Sequence, residues 1–420
     1  MSSYSGLERN IARVLRRFPA IKEFAKFCYS RLMYVRAKKS YKFKTESSPI
    51  CFSYDSRESF FGYYDKSPEN SQGMVLAQVS NRSTALIPST DKNVEIAVFD
   101  KNQKVLFSVP VSAYNWQQGC RAHWLNEDLF IFNDYDDENK IYVAKIYSVN
   151  QRKQVKVFNH AVQDSFEDKF FISLNYKRLM ALRPDYGYRN APQLPDQELR
   201  DNTQDGLWFV DIQTGDTKLL FSLEDACRIN PVPEFQNAVH KFNHVMISPS
   251  GEHFIFMHRY LLGKRRFDRL FKFDISTGEI SLLSDFGMVS HCFWVNDSIV
   301  LGFLRGPTGV DGYWLIDVDS SEFTAFQHEK LSAYGDGHPH VVGDWFVTDT
   351  YPDKARMQHL LLCNIVTGEV KQIGEFFHGF EFSGETRCDL HPRLTTCGTA
   401  VFFDSVFNGQ RQLYRMELPK

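Results

Sequence analysis

Short runs of alternating apolar and polar residues, punctuated by one recurring turn, organise this chain. Four copies of the turn are Asp211-Ile212-Gln213-Thr214-Gly215, Asp274-Ile275-Ser276-Thr277-Gly278, Asp317-Val318-Asp319-Ser320-Ser321 and Asn364-Ile365-Val366-Thr367-Gly368. Each follows an apolar run (residues 207–210, 270–273, 313–316 and 360–363) and precedes a second one, such as Lys218-Leu219-Leu220-Phe221. Asp or Asn bonds back to the backbone and Gly supplies positive φ, so each unit predicts a β-hairpin. The turns start 63, 43 and 47 residues apart. A recurring unit of roughly 40–50 residues is the period of a four-stranded propeller blade.

Extending the register predicts seven units, with inner strands beginning near Tyr63, Gln118, Gln163, His240, Met288, Gly337 and Arg387. Second strands are expected from residues 74, 129, 170, 253, 299, 345 and 400. The last unit runs out of chain after residues 412–418, one strand short. Residues 50–54, an apolar run ahead of the first unit, are placed to supply it and to close the ring, removing an edge open to aggregation. The expectation is an all-β, seven-bladed propeller over residues 45–420, preceded by a short amphipathic helical arm over residues 1–44.

The composition agrees: 43% hydrophobic and 15% aromatic residues suit a folded β protein. The eight cysteines are scattered with no CxxC pair, which argues for reduced thiols and against a zinc ribbon. With no twenty-residue apolar stretch and no signal-peptide core, the reading is a cytoplasmic protein. Charge is unevenly shared. Residues 1–44 hold twelve basic and two acidic side chains, a balance of +10, so the remainder carries −12. Apolar residues between those charges recur mostly three and four apart, and Pro19 divides them into two helices, the first starting near Ser3 or Ser5. Such an arm can lie in an anionic membrane surface, or pack on the propeller with its basic residues in water. Nucleic acid is not the expected partner, because the acidic body offers the arm no continuation.

Propellers bind ligands where inner strands begin. Four consecutive units bring histidines there: His240 and His244; His291; His338 and His340; and His391 with Asp389. On a strand, residues i and i+2 share a face, so His338 and His340 are expected to point together into the channel. Imidazoles converging from neighbouring blades beside carboxylates would suit a divalent metal such as Mn²⁺, although His-Pro starts also serve to cap and pack blades. A second cluster is cationic and aromatic. Arg178, Arg183, Tyr186, Tyr188 and Arg189 interrupt the third unit, followed by a polar stretch to Asp205. Arg beside Tyr suits a sugar carboxylate or phosphate. Tyr63, Tyr64, Asp65, Gln118 and Arg387 add candidates for substrate contact. No GxSxG elbow and no Gly-rich phosphate loop is present.

The segments Trp116-Gln117-Gln118-Gly119, Ser290-His291 with Trp294, Gly337-His338-Pro339-His340 and residues 387–393 resemble the seven-bladed propeller group of the oligogalacturonate lyases and their relatives from polysaccharide gene clusters. The resemblance covers residues 55–418. It implies Mn²⁺ held by three His and one Gln, with a further His as base and an Arg beside it. Matching positions are His291, His338 and His340 for metal, His240 or His244 for base, and Arg178 or Arg183 beside it. The Gln is unmatched, since Gly335 stands there; Asp336, or Asp389 with His391, is the substitute. The implied reaction is β-elimination on a uronate-containing oligosaccharide. A transferase or modifying enzyme of capsule or lipopolysaccharide synthesis at the inner membrane surface, and a sugar-binding scaffold, are the alternatives.

Overall fold

The computed structural model of the chain describes residues 19–419, and side chains from residue 27. Seven antiparallel sheets follow one another round a ring, five of them built from four consecutive strands. Inner strands are Glu58–Phe60, His123–Trp124, Val162–Phe166, Val239–Ile247, Val289–Trp294, His340–Val342 and Arg393–Leu394, taken here as blades one to seven. Blades three, four and five begin within a residue or so of the expected starts. Blades two, six and seven begin three to six residues later, because the candidate polar residues occupy the loops that enter the strands. Blade one begins earlier, so Tyr63, Tyr64 and Asp65 follow its inner strand. The second strands all lie where the alternation put them.

The repeated turns explain their own sequence. Asp211 Oδ1 accepts from the backbone N–H of Gln213 and Thr214, both at 2.8 Å, and Gly215 takes φ +81°. Asp274 and Asn364 do the same for Gly278 and Gly368, at φ +75° and +73°. In blade five Ser321 fills the glycine position at φ +59°. These turns join third to fourth strands and lie at the end of the ring away from the entering loops.

The ring closes as the alternation requires. Ile50–Phe52 pairs with Gln412–Glu417, placing Ile50 opposite Arg415 and Phe52 opposite Leu413. Phe52, 4% exposed, packs between Phe99 of blade one and Phe402 of blade seven, with ring centroids 5.4 and 5.8 Å away. Burying one such side chain is worth about 1.5–3 kcal/mol. A further strand, Phe43–Thr45, adds to the outer edge of blade six along Val370–Phe377, so residues of the expected arm already belong to the ring.

Upstream lies a helix, Pro19–Ala37, with proline at its first position, where a missing N–H costs nothing. The first of the two expected arm helices lies outside the described residues. Arg31 sits 3.8 Å over the Phe380 ring, and Tyr34 meets Phe380 and Phe377 at 5.3 and 5.9 Å. Among the described residues no helix is long and apolar enough to cross a membrane.

Candidate functional site

Three imidazoles from blades five, six and seven converge at the channel. The ring centroids of His291 and His338 are 4.0 Å apart, and those of His338 and His391 are 4.3 Å apart. All three rings are buried. Each is steered through Nδ1 by a different acceptor: Asp336 Oδ1 for His291 at 3.2 Å, Asp349 Oδ1 for His338 at 2.7 Å, and the Gly62 carbonyl for His391 at 2.7 Å. That pattern fixes ring orientation and leaves Nε2 as the free atom. His391 takes φ +43°, strain held in place by its bonds to Gly62 and Asp349. Burial opposes charge on His338, but Asp349 outweighs it and raises its pKa. Burial, then His338, lowers His291 to about 4.

His244 joins from blade four. The register of its strand shifts between Asn243 and Met246, and His244 takes φ +52°, a bulge that turns the ring into the channel. Tyr63 Oη lies 2.6 Å from His244 Nδ1, and Tyr186 packs edge-on against both rings. Burial, then Arg259, holds His244 well below its ordinary pKa and therefore neutral, whereas burial keeps Tyr63 protonated. Arg183, Lys241 and Arg259 stand around His244, with Arg266 beside Arg259; among the described residues Asp185 pairs with Arg183, and Asp268 with Arg259 and Arg266. Lys241 is 2% exposed, and Arg259 Nη1 is buried with no hydrogen-bond partner. Three guanidinium groups against two carboxylates, with an amine beside them, make a place deficient in negative charge. Burial, then Arg259, pushes the Lys241 pKa far down, which a bound anion would reverse. Lys241 and Arg259 carried no sequence signal, because single charges in a strand read as its solvent face.

Other expected members are placed elsewhere. His340 does not share a face with His338: Pro339 intervenes before the strand begins, and the His340 ring packs on Phe293 at 4.4 Å while its Nδ1 accepts from Leu394 N–H. His240, in the regular part of the strand ahead of the bulge, meets His258 at 3.0 Å and the Phe235 carbonyl, away from the three imidazoles. Arg178 spends all five N–H donors on Asp205, Leu199, His240, Glu198 and Asp201, four of them backbone carbonyls, so it pins the blade-three insertion and offers nothing to a ligand. Tyr188 stacks on Tyr176 at 4.5 Å and belongs to blade packing. Asp65 is clamped by Arg121 through bonds of 3.0 and 2.7 Å. Gln118 borders a small cavity with Tyr63 and Arg121, both its amide atoms buried and unpartnered. Tyr64 floors the site with its ring, 5.4 Å from that of His338, and spends its hydroxyl on Cys292. Arg387 holds Asp389 through two nitrogens and lies over Tyr351.

The blade-three insertion covers this cluster. Arg183 lies 4.2 Å over the Tyr186 ring, and Arg189 reaches Glu385 in the loop that enters blade seven. The long connection flagged in the sequence thus forms the wall of the mouth.

No protein-family description and no curated protein sequence matches the chain. Solved structures do. An oligogalacturonate lyase in complex with manganese superposes with a TM-score of 0.60, covering 90% of this chain and 95% of its own at 13% identity. The oligogalacturonate lyase of Vibrio parahaemolyticus gives 0.59, with 90% and 97% covered at 12% identity. The fold is that of the oligogalacturonate lyases. The propeller domain of the trilobed protease of Pyrococcus furiosus, at 0.50 and 10% identity, shares the architecture as well.

Whether the residues of this lyase-fold propeller fit a divalent cation is decided by its own atoms. His391 Nε2 is buried with no partner, and donor atoms of His338, Asp389 and His391 lie within 4.8 Å of one another. Imidazole nitrogen with carboxylate oxygen is a donor set that Mn²⁺ accepts. The residues fit, and His340 is not among them.

Buried neutral histidines outside the cluster make the propeller acid-sensitive. His123 joins Arg121 O and Ser165 Oγ at 2.7 Å each, and burial holds it down to about 3. Unfolded, it titrates near 6.5, so between those values the unfolded chain binds the extra proton. Stability is therefore full above pH 6.5 and falls as pH drops, by about 1.4 kcal/mol per pH unit for this group. Urea midpoints measured from pH 7 to 4.5 should fall, and His123→Gln should flatten the slope by that amount; an unchanged slope would show that His123 does not titrate in unfolding.

Proposed function

We propose that this propeller binds an acidic oligosaccharide at the channel mouth and cleaves it by β-elimination with a divalent cation, Mn²⁺ or a close substitute. The observation that carries this reading is the convergence of His291, His338 and His391, each steered through Nδ1, beside an excess of cations. His291, His338 and His391 would hold the cation, with Asp389 beside them, and a bound cation would withdraw charge from the uronate carboxylate. Arg183, Lys241 and Arg259 take the carboxylate as its counter-charge and stabilise the anion that forms beside it. Neutral His244, positioned by Tyr63, accepts the proton from C5. The C4–O bond then breaks, a C4–C5 double bond forms, and the departing oxygen takes a proton from water. Tyr186 and the insertion wall off the site and exclude bulk solvent.

The test is trigalacturonate with Mn²⁺, followed by the ultraviolet absorbance of the unsaturated uronate. The expected result is a time-dependent rise that chelator stops. Cation-dependent binding with no unsaturated product would overturn the elimination and leave a sugar-binding propeller.

A further inference from the structure

We infer that the basic arm docks the site-bearing end of the propeller on an anionic lipid bilayer. The helix Pro19–Ala37 is seated through Arg31 and Tyr34 on Phe377 and Phe380. Phe377 ends the outer strand of blade six at the end where the site opens. The loop that begins there runs from Phe380 to Asp389 and His391, so one segment carries the helix at its start and lines the site at its finish. Helix and site share an end of the ring.

From residue 27 on, one side of the helix is exposed. Phe27, Leu32 and Val35 are 56%, 53% and 66% exposed. At 3.6 residues per turn they fall in one sector of about 140°. Arg36, Lys38 and Lys39 are exposed beside them. Three large apolar side chains in water next to a basic run are what an interfacial helix presents to lipid headgroups. Charge selects the occupant and the orientation. The arm carries +10 and the remainder −12, so an anionic surface attracts the arm and repels the body. The docking stands whether or not the lyase reading holds. Its consequence, that the acidic glycan is met at a membrane, rests on that reading.

The test uses full-length protein and sedimentation with vesicles of phosphatidylcholine alone or mixed with phosphatidylglycerol. Binding is expected only with phosphatidylglycerol, and is expected to be lost near 0.5 M salt, where screening shrinks to a few ångströms. Arg36→Glu with Lys38→Glu and Lys39→Glu should weaken it by about tenfold or more, as should Phe27→Ser with Leu32→Ser and Val35→Ser. Two native thiols report orientation. Cys28 is exposed on the helix, and Cys397 is exposed at the opposite end, between Arg393–Leu394 and Ala400–Ser405. Vesicles should slow maleimide modification of Cys28, read by peptide mass, and leave Cys397 unchanged. Equal binding to phosphatidylcholine, no binding at all, or protection of Cys397 would each overturn the proposal. Vesicle binding without unsaturated product would remove only the lyase reading.

Discussion

Exchanging His244 for glutamine should lower turnover of trigalacturonate by about 10²–10⁴-fold, the usual contribution of a general base. The substitution keeps volume and a hydrogen-bonding group facing Tyr63, but no atom of an amide takes a proton at neutral pH. His244 is neutral in its surroundings because burial and Arg259 oppose its charge, so the free base is the standing form. Metal content should not change, because the cation is assigned to His291, His338 and His391. The rate constant and the metal content are the readouts. A glutamine variant with turnover near the parent would remove His244 from the chemistry, and Lys241 would be the next residue to test.

Replacing Arg178 by methionine should cost about 3–5 kcal/mol of stability, the loss seen when one partner of a buried charged network is removed. The guanidinium ties Asp205 to four carbonyls from the insertion and from blade four, and Arg178 is 2% exposed. Without it, those acceptors are left buried and unpaired. The folded fraction should still retain metal, since no atom of Arg178 faces the imidazoles. A urea midpoint unchanged from the parent would contradict the structural role, and a stable variant that fails to bind sugar would restore the ligand role that its sequence neighbours suggested.

The contrast between these two residues shows how far the sequence could be read. Blade period, second strands and the closing strand at residues 50–52 follow from local rules, namely alternation and the Asp-to-glycine turn. Site membership depends on events of one residue. A bulge turns His244 inward and leaves His240 in the blade, and Pro339 keeps His338 off the strand that His340 begins. The partners that steer the imidazoles arrive from other segments: Asp349 ends a neighbouring strand and Gly62 follows the first inner strand. Lys241 and Arg259 gain meaning only from the other basic side chains that the fold brings beside them. The fifth strand, Phe43–Thr45, was hidden inside a basic arm whose charges outweighed its short alternation.

The central claim is a cation held by His291, His338 and His391, and metal analysis of protein purified without chelator tests it most directly. About one equivalent of Mn²⁺ or a close substitute is expected per chain after equilibration, falling to background in His338→Ala and in His391→Ala while His340→Ala retains it. Retention in His338→Ala, or loss confined to His340→Ala, would contradict the account.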